Sequence, residues 1–237
     1  MDDKKLKYNR RCHVLYSKEC KDQIQKKIEK HYPLEQRKEI WTSVQLKYVE
    51  YLKSWRTDLG GKKNFHNGIG GTYDCIALMT YYAICKDVTS IDEIEEMEGN
   101  LLLPNFRKLK FLNVNKPIFK RLLHLSFSIA KRKCDKWNDY KMEVAPYKKD
   151  NPIYYEFTHC PIAEFAEKNN LSEVMPAFCN LEYTAMELLH ARLVRETTCS
   201  NEVKCDYTIY GDSDKGLEDY LEYNDEQGFI RNIKKER

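Results

Sequence analysis

The sequence lacks any long apolar run. No stretch of its 237 residues approaches the roughly 18 to 20 consecutive apolar residues that cross a bilayer. The opening segment, MDDKKLKYNRR, carries charges that no apolar stretch follows, so we expect no secretory signal there. Hydrophobic residues make up 42% of the chain and charged residues 32%, which is typical of a folded globular protein. The sequence therefore predicts a globular protein that has no membrane partner.

The sequence also lacks an excess of one charge. Its 40 basic and 37 acidic residues leave a net charge of +3. Because so small a charge sets up little long-range field, nucleic acid is not an expected partner. The bias is local: residues 1–30 hold ten Lys or Arg against five acids, and residues 212–226 hold seven acids against Lys215. Such runs are typical of solvated arms and tails.

No C-x-x-C pair occurs among the nine cysteines. Zinc ribbons, zinc fingers and thioredoxin-type motifs need such a pair, so the sequence does not support them. An odd number of cysteines without an export signal favours the reducing cytoplasm, where thiols stay free unless they bind metal or react.

The first two-thirds of the chain have the apolar spacing of helices. Apolar residues recur at three- and four-residue spacing around 34–59, which predicts one helix that ends at Gly60. The five glycines of Gly60–Gly71 predict a loop, and further helices are predicted over Thr72–Cys85 and from Pro117 toward Trp137.

Beyond residue 140 the pattern changes to alternation, which predicts strands over 153–159 and 203–209 and weaker strands over 140–147 and 192–198. One helix is predicted over 174–189. The fold class is therefore α+β, a helical portion followed by an antiparallel sheet in ββααββ order. We expect a single domain over 1–211, helical over about 15–138 and sheet-containing over about 139–211, and a loosely held charged C-terminal tail over 212–237.

Cys160 is the first candidate for chemistry. It follows a predicted strand and directly precedes Pro161, so it is expected at the N-terminus of a helix. Free N–H groups and the helix dipole there favour a thiolate and predict a lowered pKa. The alternative is a small buried residue at a tight corner.

A second candidate is a polar stripe on the helix predicted after Pro176. Cys179, Glu182, Tyr183 and His190 fall on one side of it at 100° per residue, which sets a thiol, a carboxylate and an imidazole in line. The alternative is an ordinary helix edge, with Cys179 packed and the charged groups solvated.

The last strand and the glycine-rich loop supply weaker candidates. Cys205 is expected to be a packed thiol, and Asp206 on the opposite face is expected to be exposed or paired with Arg192 or Arg195. The loop carries Lys62, Lys63 and Asn64, along with His66 and Asn67, on backbone that could wrap a small anion.

Taken together, these segments resemble the L-2-amino-thiazoline-4-carboxylic acid hydrolase family from about residue 60 to 210. The residues that carry the resemblance are Gly60-Gly61-Lys62-Lys63-Asn64, His159-Cys160-Pro161-Ile162, Cys179-Asn180-Leu181-Glu182-Tyr183, Arg195 and Cys205-Asp206-Tyr207. The chain departs from the family pattern in having Glu182 where aspartate is usual and Tyr207 where phenylalanine is usual.

The resemblance implies hydrolytic opening of a five-membered ring whose C2 is bonded to sulfur and two nitrogens, giving a carbamoyl-cysteine. This needs a nucleophile, a proton donor and a site for the carboxylate of a small-molecule substrate. We assign Cys160 as nucleophile, Glu182 as acid/base, and Arg195 or Lys62 with the glycine-rich loop to the carboxylate. Asn64 and Tyr183 complete the predicted substrate-binding residues, and His190, Cys179, Cys205 and Asp206 the predicted catalytic set.

Two alternatives stay open. Cys160, Cys179 and Cys205 could instead be thiolate ligands, with His190 completing a tetrahedral site for a divalent metal that activates water. The same fold could also be a non-catalytic module that binds a small molecule or a metal. Either alternative requires the three thiols to converge. The natural substrate, the ring bond that breaks and the formation of a homo-oligomer are left open by the sequence.

Overall fold

The computed structural model describes residues 16–54, 71–137, 140–200 and 202–236. It confirms the α+β class, because helices fill the first part and antiparallel strands follow. The first five helices are α1 (Lys18–His31), α2 (Leu34–Ser54), α3 (Thr72–Cys85), α4 (Ile91–Lys108) and α5 (Pro117–Trp137). Among the described residues, no helix is long and apolar enough to cross a membrane. The chain divides into two compact units, Met1–Leu101 with Phe165–Val174 and Leu102–Glu164 with Met175–Arg237.

The helical unit is built around α3. Eleven of the 14 side chains of this helix are buried, as expected for a helix that is apolar on all sides. From α2, the hydroxyl of Tyr48 donates to the carbonyl of Tyr73, at 3.2 Å. The predicted bounds of α3 are confirmed, whereas the predicted end of the preceding helix at Gly60 lies outside the described residues.

Glu98 on α4 is a buried carboxyl group inside the helical unit. Its residue surface is only 6% exposed, and within the described structure its Oε2 has no hydrogen-bond partner. Loss of hydration, with a smaller contribution from the negative charge of Asp74, raises the pKa of Glu98 to about 8. The folded protein therefore binds a proton at Glu98 that the unfolded chain releases near pH 4.5.

Because of this proton, stability is expected to fall as pH rises from about 4.5 to about 8. Glu98→Gln should remove that dependence: the variant should match wild type near pH 5 and exceed its free energy of unfolding by about 4–5 kcal/mol near pH 9. Urea unfolding at the two pH values measures this, with Glu39→Gln at an exposed position of α2 as control. An equal difference between variant and wild type at both pH values would contradict the raised pKa.

The second unit contains a four-stranded antiparallel sheet. Its strands are β1 (Lys141–Val144), β2 (Ile153–His159), β3 (Ala191–Val194) and β4 (Cys205–Gly211), in the order β1-β2-β4-β3. Tyr155 of β2 pairs with Tyr207 of β4, and their rings stack at 4.5 Å. Two pairs further along, Phe157 lies opposite Cys205. Helix α5 packs on the sheet through Phe127, whose ring lies 4.4 Å from that of Tyr155.

Three helices connect β2 to β3: α6 (Pro161–Lys168), α7 (Met175–Cys179) and α8 (Leu181–Glu187). The prediction of one continuous helix over 174–189 is wrong, because the chain breaks at Asn180. The N–H of Tyr183 donates to the carbonyl of Asn180, three residues back, and the Cys179 carbonyl accepts from Arg195 instead of from its own helix. The side chains expected on one stripe are therefore divided between α7, α8 and the turn that follows.

The segment after Gly211 is a folded hairpin and not the loosely held tail that its charge predicts. Its strands are β5 (Tyr220–Asn224) and β6 (Ile230–Lys234). The turn is closed by Asp225, whose carboxylate accepts the N–H groups of Gln227 and Phe229, and by Gly228 with φ +87°. Phe229 is buried.

Candidate active site

Cys160 lies where the sequence places it, immediately before the first residue of α6. It is half-buried, and the N–H groups of Ile162 and Ala163 hydrogen-bond to it. The prediction of a lowered pKa is nevertheless wrong, because loss of hydration outweighs these bonds and raises the pKa of Cys160 to about 12. Burial keeps this thiol protonated.

The structure brings Cys179 and Cys205 to the neighbourhood of Cys160. Each of the three thiols lies close enough to the other two for their charges to interact. Burial raises the pKa of Cys179 well above its ordinary value. The convergence of the three thiols, which the metal and pocket alternatives both require, is thus present within the second unit.

Cys205 is the thiol of this group with a lowered pKa. The Cys199 side chain interacts with it, the Cys199 N–H donates a hydrogen bond to it with an N–S distance of 2.9 Å, and Arg195 adds a positive charge. Together these outweigh the loss of hydration at this buried position, so the structure favours Cys205 over Cys160 as the thiolate. Cys199 lies in the irregular loop before β4, where no periodic pattern marks it, and sequence reasoning missed it.

Arg195 is fully buried at the end of β3 and ties four elements together. Its Nη1 donates to the Cys179 carbonyl at 3.2 Å and to Glu182 at 3.1 Å. Its Nη2 donates to the Ile230 carbonyl at 3.3 Å and to the side-chain oxygen of Asn180 at 3.5 Å. In the described structure, Nε is the donor of this guanidinium that has no partner. Because of these contacts, Arg195 is better suited to positioning its neighbours than to binding the carboxylate of a substrate.

Glu182 occupies the first turn of α8 and faces Arg195. Its side chain keeps 36% of its surface exposed, so it is the member of the ion pair that reaches solvent. Lost hydration raises the pKa of Glu182 against the opposing attraction of Arg195 and a hydrogen bond from Tyr207. A carboxyl group of raised pKa is suited to holding and releasing a proton.

Asp206 is buried and not exposed, and it pairs with neither Arg192 nor Arg195. Its carboxylate accepts the N–H groups of Glu196 and Thr197, together with the Thr197 hydroxyl. The expectation of an outward-facing strand residue fails because the loop after β3 folds over this carboxylate and supplies donors that replace water. Asp206 therefore anchors the loop that carries Cys199.

The structure separates His190 from the candidate site. It adopts a left-handed conformation, φ +53°, in the turn between α8 and β3, and its exposed ring pairs with Asp212 at 3.3 Å. The predicted position on the polar stripe is wrong because α8 ends at Glu187. Tyr183 does lie beside Arg195, but its hydroxyl is bonded to the carbonyl of Ile230. The predicted anion-binding residues Lys62 and Asn64 lie outside the described residues.

A comparison with protein families matches residues 79–208, more than half of the chain, to the family described as L-2-amino-thiazoline-4-carboxylic acid hydrolase. The chain belongs to this family. Searches of curated proteins and of solved structures found no match. The matched residues include Cys160, Cys179, Glu182, Arg195 and Cys205, which are the side chains that the structure brings together.

Glu182 and Tyr207, the two residues expected from the sequence to depart from the family pattern, interact with each other. The Tyr207 hydroxyl donates a hydrogen bond to Glu182, which lowers the pKa of that carboxyl group. The ring of Tyr207 also lies 5.8 Å from the guanidinium of Arg195. The longer carboxylate and the added hydroxyl thus belong to one polar cluster.

The metal alternative finds no support in this arrangement. In the part of the chain that the structure describes, no three His, Cys, Asp or Glu side chains are grouped so that they could hold a metal ion. His190, the predicted fourth ligand, is instead paired with Asp212. The donor set therefore does not fit the tetrahedral site that four such ligands would form.

Proposed function

We propose that this protein is a hydrolase that opens a small cyclic amidine such as 2-amino-thiazoline-4-carboxylate to a carbamoyl-cysteine. Membership of the family supports the proposal. The observation that carries it is the ion pair of Glu182 and Arg195 in reach of Cys205, the thiol with a lowered pKa. A thiolate nucleophile and a proton-holding carboxyl group are the two groups that this ring opening needs.

In the proposed reaction the Cys205 thiolate attacks C2 of the ring and forms a bond to it. The bond from C2 to the ring sulfur or ring nitrogen breaks, and the leaving atom takes the proton held by Glu182. Water then attacks C2, a proton passes to the Glu182 carboxylate, and Cys205 leaves as thiolate. One substrate and one water give one carbamoyl-cysteine, and both side chains return to their starting states.

Arg195 acts in this scheme by holding Glu182. Its two terminal nitrogens already donate to Glu182, to backbone carbonyls and to the Asn180 side chain, so Arg195 fixes the direction of the carboxyl group. The carboxylate of the substrate is assigned to Lys62 and Asn64 of the glycine-rich segment, an assignment that the sequence alone supports. Cys160 and Cys179, as neutral thiols, are assigned to the surroundings of the reacting ring.

We also propose that the protein works in a reducing compartment such as the cytoplasm. All eight cysteines within the described residues are free thiols. The proposed nucleophile must be a thiolate to attack, and a disulfide at Cys205 would prevent the reaction.

The test is turnover of L-2-amino-thiazoline-4-carboxylate by the purified full chain under reducing conditions, followed by loss of thiazoline absorbance and by mass spectrometry of the product. We expect turnover by wild type, a loss of at least about 10³-fold in kcat for Cys205→Ser and a loss below about tenfold for Cys160→Ser. Cys85→Ser, at a buried thiol of the helical unit, is the matched control.

The outcomes separate the candidate functions. A large loss for Cys160→Ser with little loss for Cys205→Ser would return the nucleophile to Cys160. No turnover by wild type, with a ligand-dependent rise in Tm, would overturn the hydrolase and favour the non-catalytic binding module.

A further inference from the structure

Cys199 and Cys205 are held together at one end of the sheet. The Cys199 N–H donates to the Cys205 sulfur with an N–S distance of 2.9 Å, and the side chains of the two residues interact. Cys199 Sγ also lies 3.3 Å from the carbonyl of Phe157, the β2 residue that pairs with Cys205. Both sulfurs therefore lie beside the Phe157–Cys205 pair of strands β2 and β4.

The loop that carries Cys199 is tied to the strand that carries Cys205. Asp206, the next residue on that strand, accepts the N–H groups of Glu196 and Thr197 from its buried position. The N–H of Cys199 then donates to Cys205 itself. The loop is therefore held by the side chains of two consecutive strand residues, and these bonds keep the backbone of Cys199 beside the Cys205 sulfur.

This proximity brings the Cys199 backbone within disulfide range of the Cys205 sulfur. The N–S distance is 2.9 Å, and the N–Cα bond adds only about 1.5 Å, so the Cα of Cys199 lies within about 4.4 Å of the Cys205 sulfur. Disulfides span Cα–Cα distances of about 4.4–6.8 Å, and the Cα-to-partner-sulfur distance is shorter than that span. Rotation of the Cys199 side chain away from the Phe157 carbonyl is the main movement required.

The two thiols are chemically unequal. The donors on Cys199 and the charge of Arg195 lower the pKa of Cys205, whereas the bond to Cys205 raises the pKa of Cys199. Thiolates, and not thiols, attack peroxides, so Cys205 is suited to react first and Cys199 to resolve the product. Cys199 is half-buried and Cys205 is buried, which favours small oxidants.

We propose that Cys199 and Cys205 form a two-thiol site that a hydroperoxide oxidises to a reversible intramolecular disulfide. The Cys205 sulfur attacks one peroxide oxygen: an S–O bond forms, the O–O bond breaks, and the leaving alkoxide or hydroxide takes a proton. The Cys199 sulfur then attacks Cys205, an S–S bond forms, the S–O bond breaks, and water leaves with the Cys199 proton. Two thiols lose two electrons in all, and the peroxide is reduced to one alcohol, or water, plus one water.

The disulfide also has a consequence for catalysis, which rests on the proposed hydrolase function. If Cys205 is the nucleophile, its oxidation stops ring opening until a dithiol reductant restores it. Formation of the disulfide is itself independent of whether the protein hydrolyses anything.

Peptide mapping of the full chain tests the proposal. The reduced protein is freed of reductant, treated with a small excess of hydrogen peroxide, alkylated with iodoacetamide and digested without reduction. Trypsin cuts after Arg195, Lys204 and Lys215, so the two cysteines fall on separate peptides, 196–204 and 205–215, that a disulfide would link. We expect this linked pair to exceed any other linked pair at least tenfold and to disappear on treatment with dithiothreitol.

Two variants test whether Cys199 is the partner of Cys205. Cys199→Ser should abolish the linked pair and leave Cys205 as a sulfenic acid that dimedone traps, whereas Cys160→Ser should still form the pair. Links from Cys205 to the peptides of Cys160 or Cys179, or no link although other thiols are oxidised, would overturn the proposal. Turnover after oxidation is measured separately. If the disulfide forms without loss of turnover, Cys205 is not the nucleophile, but the proposal of the two-thiol site still holds.

Discussion

Replacing Glu182 with glutamine is expected to lower kcat on the proposed substrate by about 10²- to 10⁴-fold. The amide keeps the shape of the side chain and an oxygen that Arg195 can bond, but it cannot give a proton to the leaving atom or accept one from water. Because Glu182 must be protonated for the first step, wild-type kcat should fall as pH rises through its raised pKa. That limb of the pH profile should be missing in Glu182→Gln.

The matched control is Glu187→Gln at the other end of α8, where the side chain is half exposed. It should change kcat by less than about twofold, since surface substitutions away from a site act within about ±0.5 kcal/mol. Glu182→Asp tests whether the length of the side chain matters for proton transfer, because aspartate, the residue expected at this position in the family, is one methylene shorter. Wild-type kcat and an unchanged pH profile for Glu182→Gln would remove Glu182 from the mechanism.

Replacing Arg195 with methionine is expected to lower the free energy of unfolding by about 3–5 kcal/mol. Methionine fills much of the volume, but the Cys179 carbonyl and the Glu182 carboxylate lose the Arg195 donor, and the Ile230 carbonyl keeps only the Tyr183 hydroxyl. An unpaired buried acceptor costs about 1–3 kcal/mol, so the lost bonds account for most of the effect. The variant also removes the charge that lies over the rings of Tyr183 and Tyr207.

Urea unfolding measures this effect, and Arg192→Met is its control. Arg192 lies on β3 three residues earlier, half exposed, and contacts only Glu187 among the ion pairs of the described residues. Its loss should cost no more than about 0.5 kcal/mol. If the two variants were equally stable, Arg195 would be an incidental buried charge and not the tie between α7, α8 and β6.

Local patterns predicted the elements that local forces define. Thr72–Cys85 is apolar on every side and forms a buried helix, and Pro117 begins α5 as a first-turn proline should. Alternation found β2 and β4 because their inner residues meet in register. These features depend on residues that are close together in the sequence, so a single sequence is enough to predict them.

The errors arose where a distant group competes with the local pattern. Apolar spacing continues through Asn180, but the buried Arg195 takes the Cys179 carbonyl and the helix breaks. The acidic residues after Gly211 suggested a solvated tail, but this segment forms a hairpin in which Phe229 and Asn232 are buried. Burial reversed the expected effect of the helix N-terminus on Cys160, and the partners of Asp206 come from the backbone of another loop. The spacing of residues along the sequence does not reveal such tertiary contacts.

The hairpin of β5 and β6 sets a lower limit on any fragment that could retain the candidate site. The family match ends at residue 208, and a fragment ending there would keep Cys160, Glu182 and Cys205. It would lack the Ile230 carbonyl, and also the Asn232 side chain that accepts the N–H of Arg195 and the hydroxyl of Tyr183. The guanidinium would then lose one of its carbonyl acceptors, and the backbone N–H of Arg195 would lose its side-chain acceptor. The chemistry therefore resides in the matched segment, but its geometry is completed by residues that the family pattern does not include.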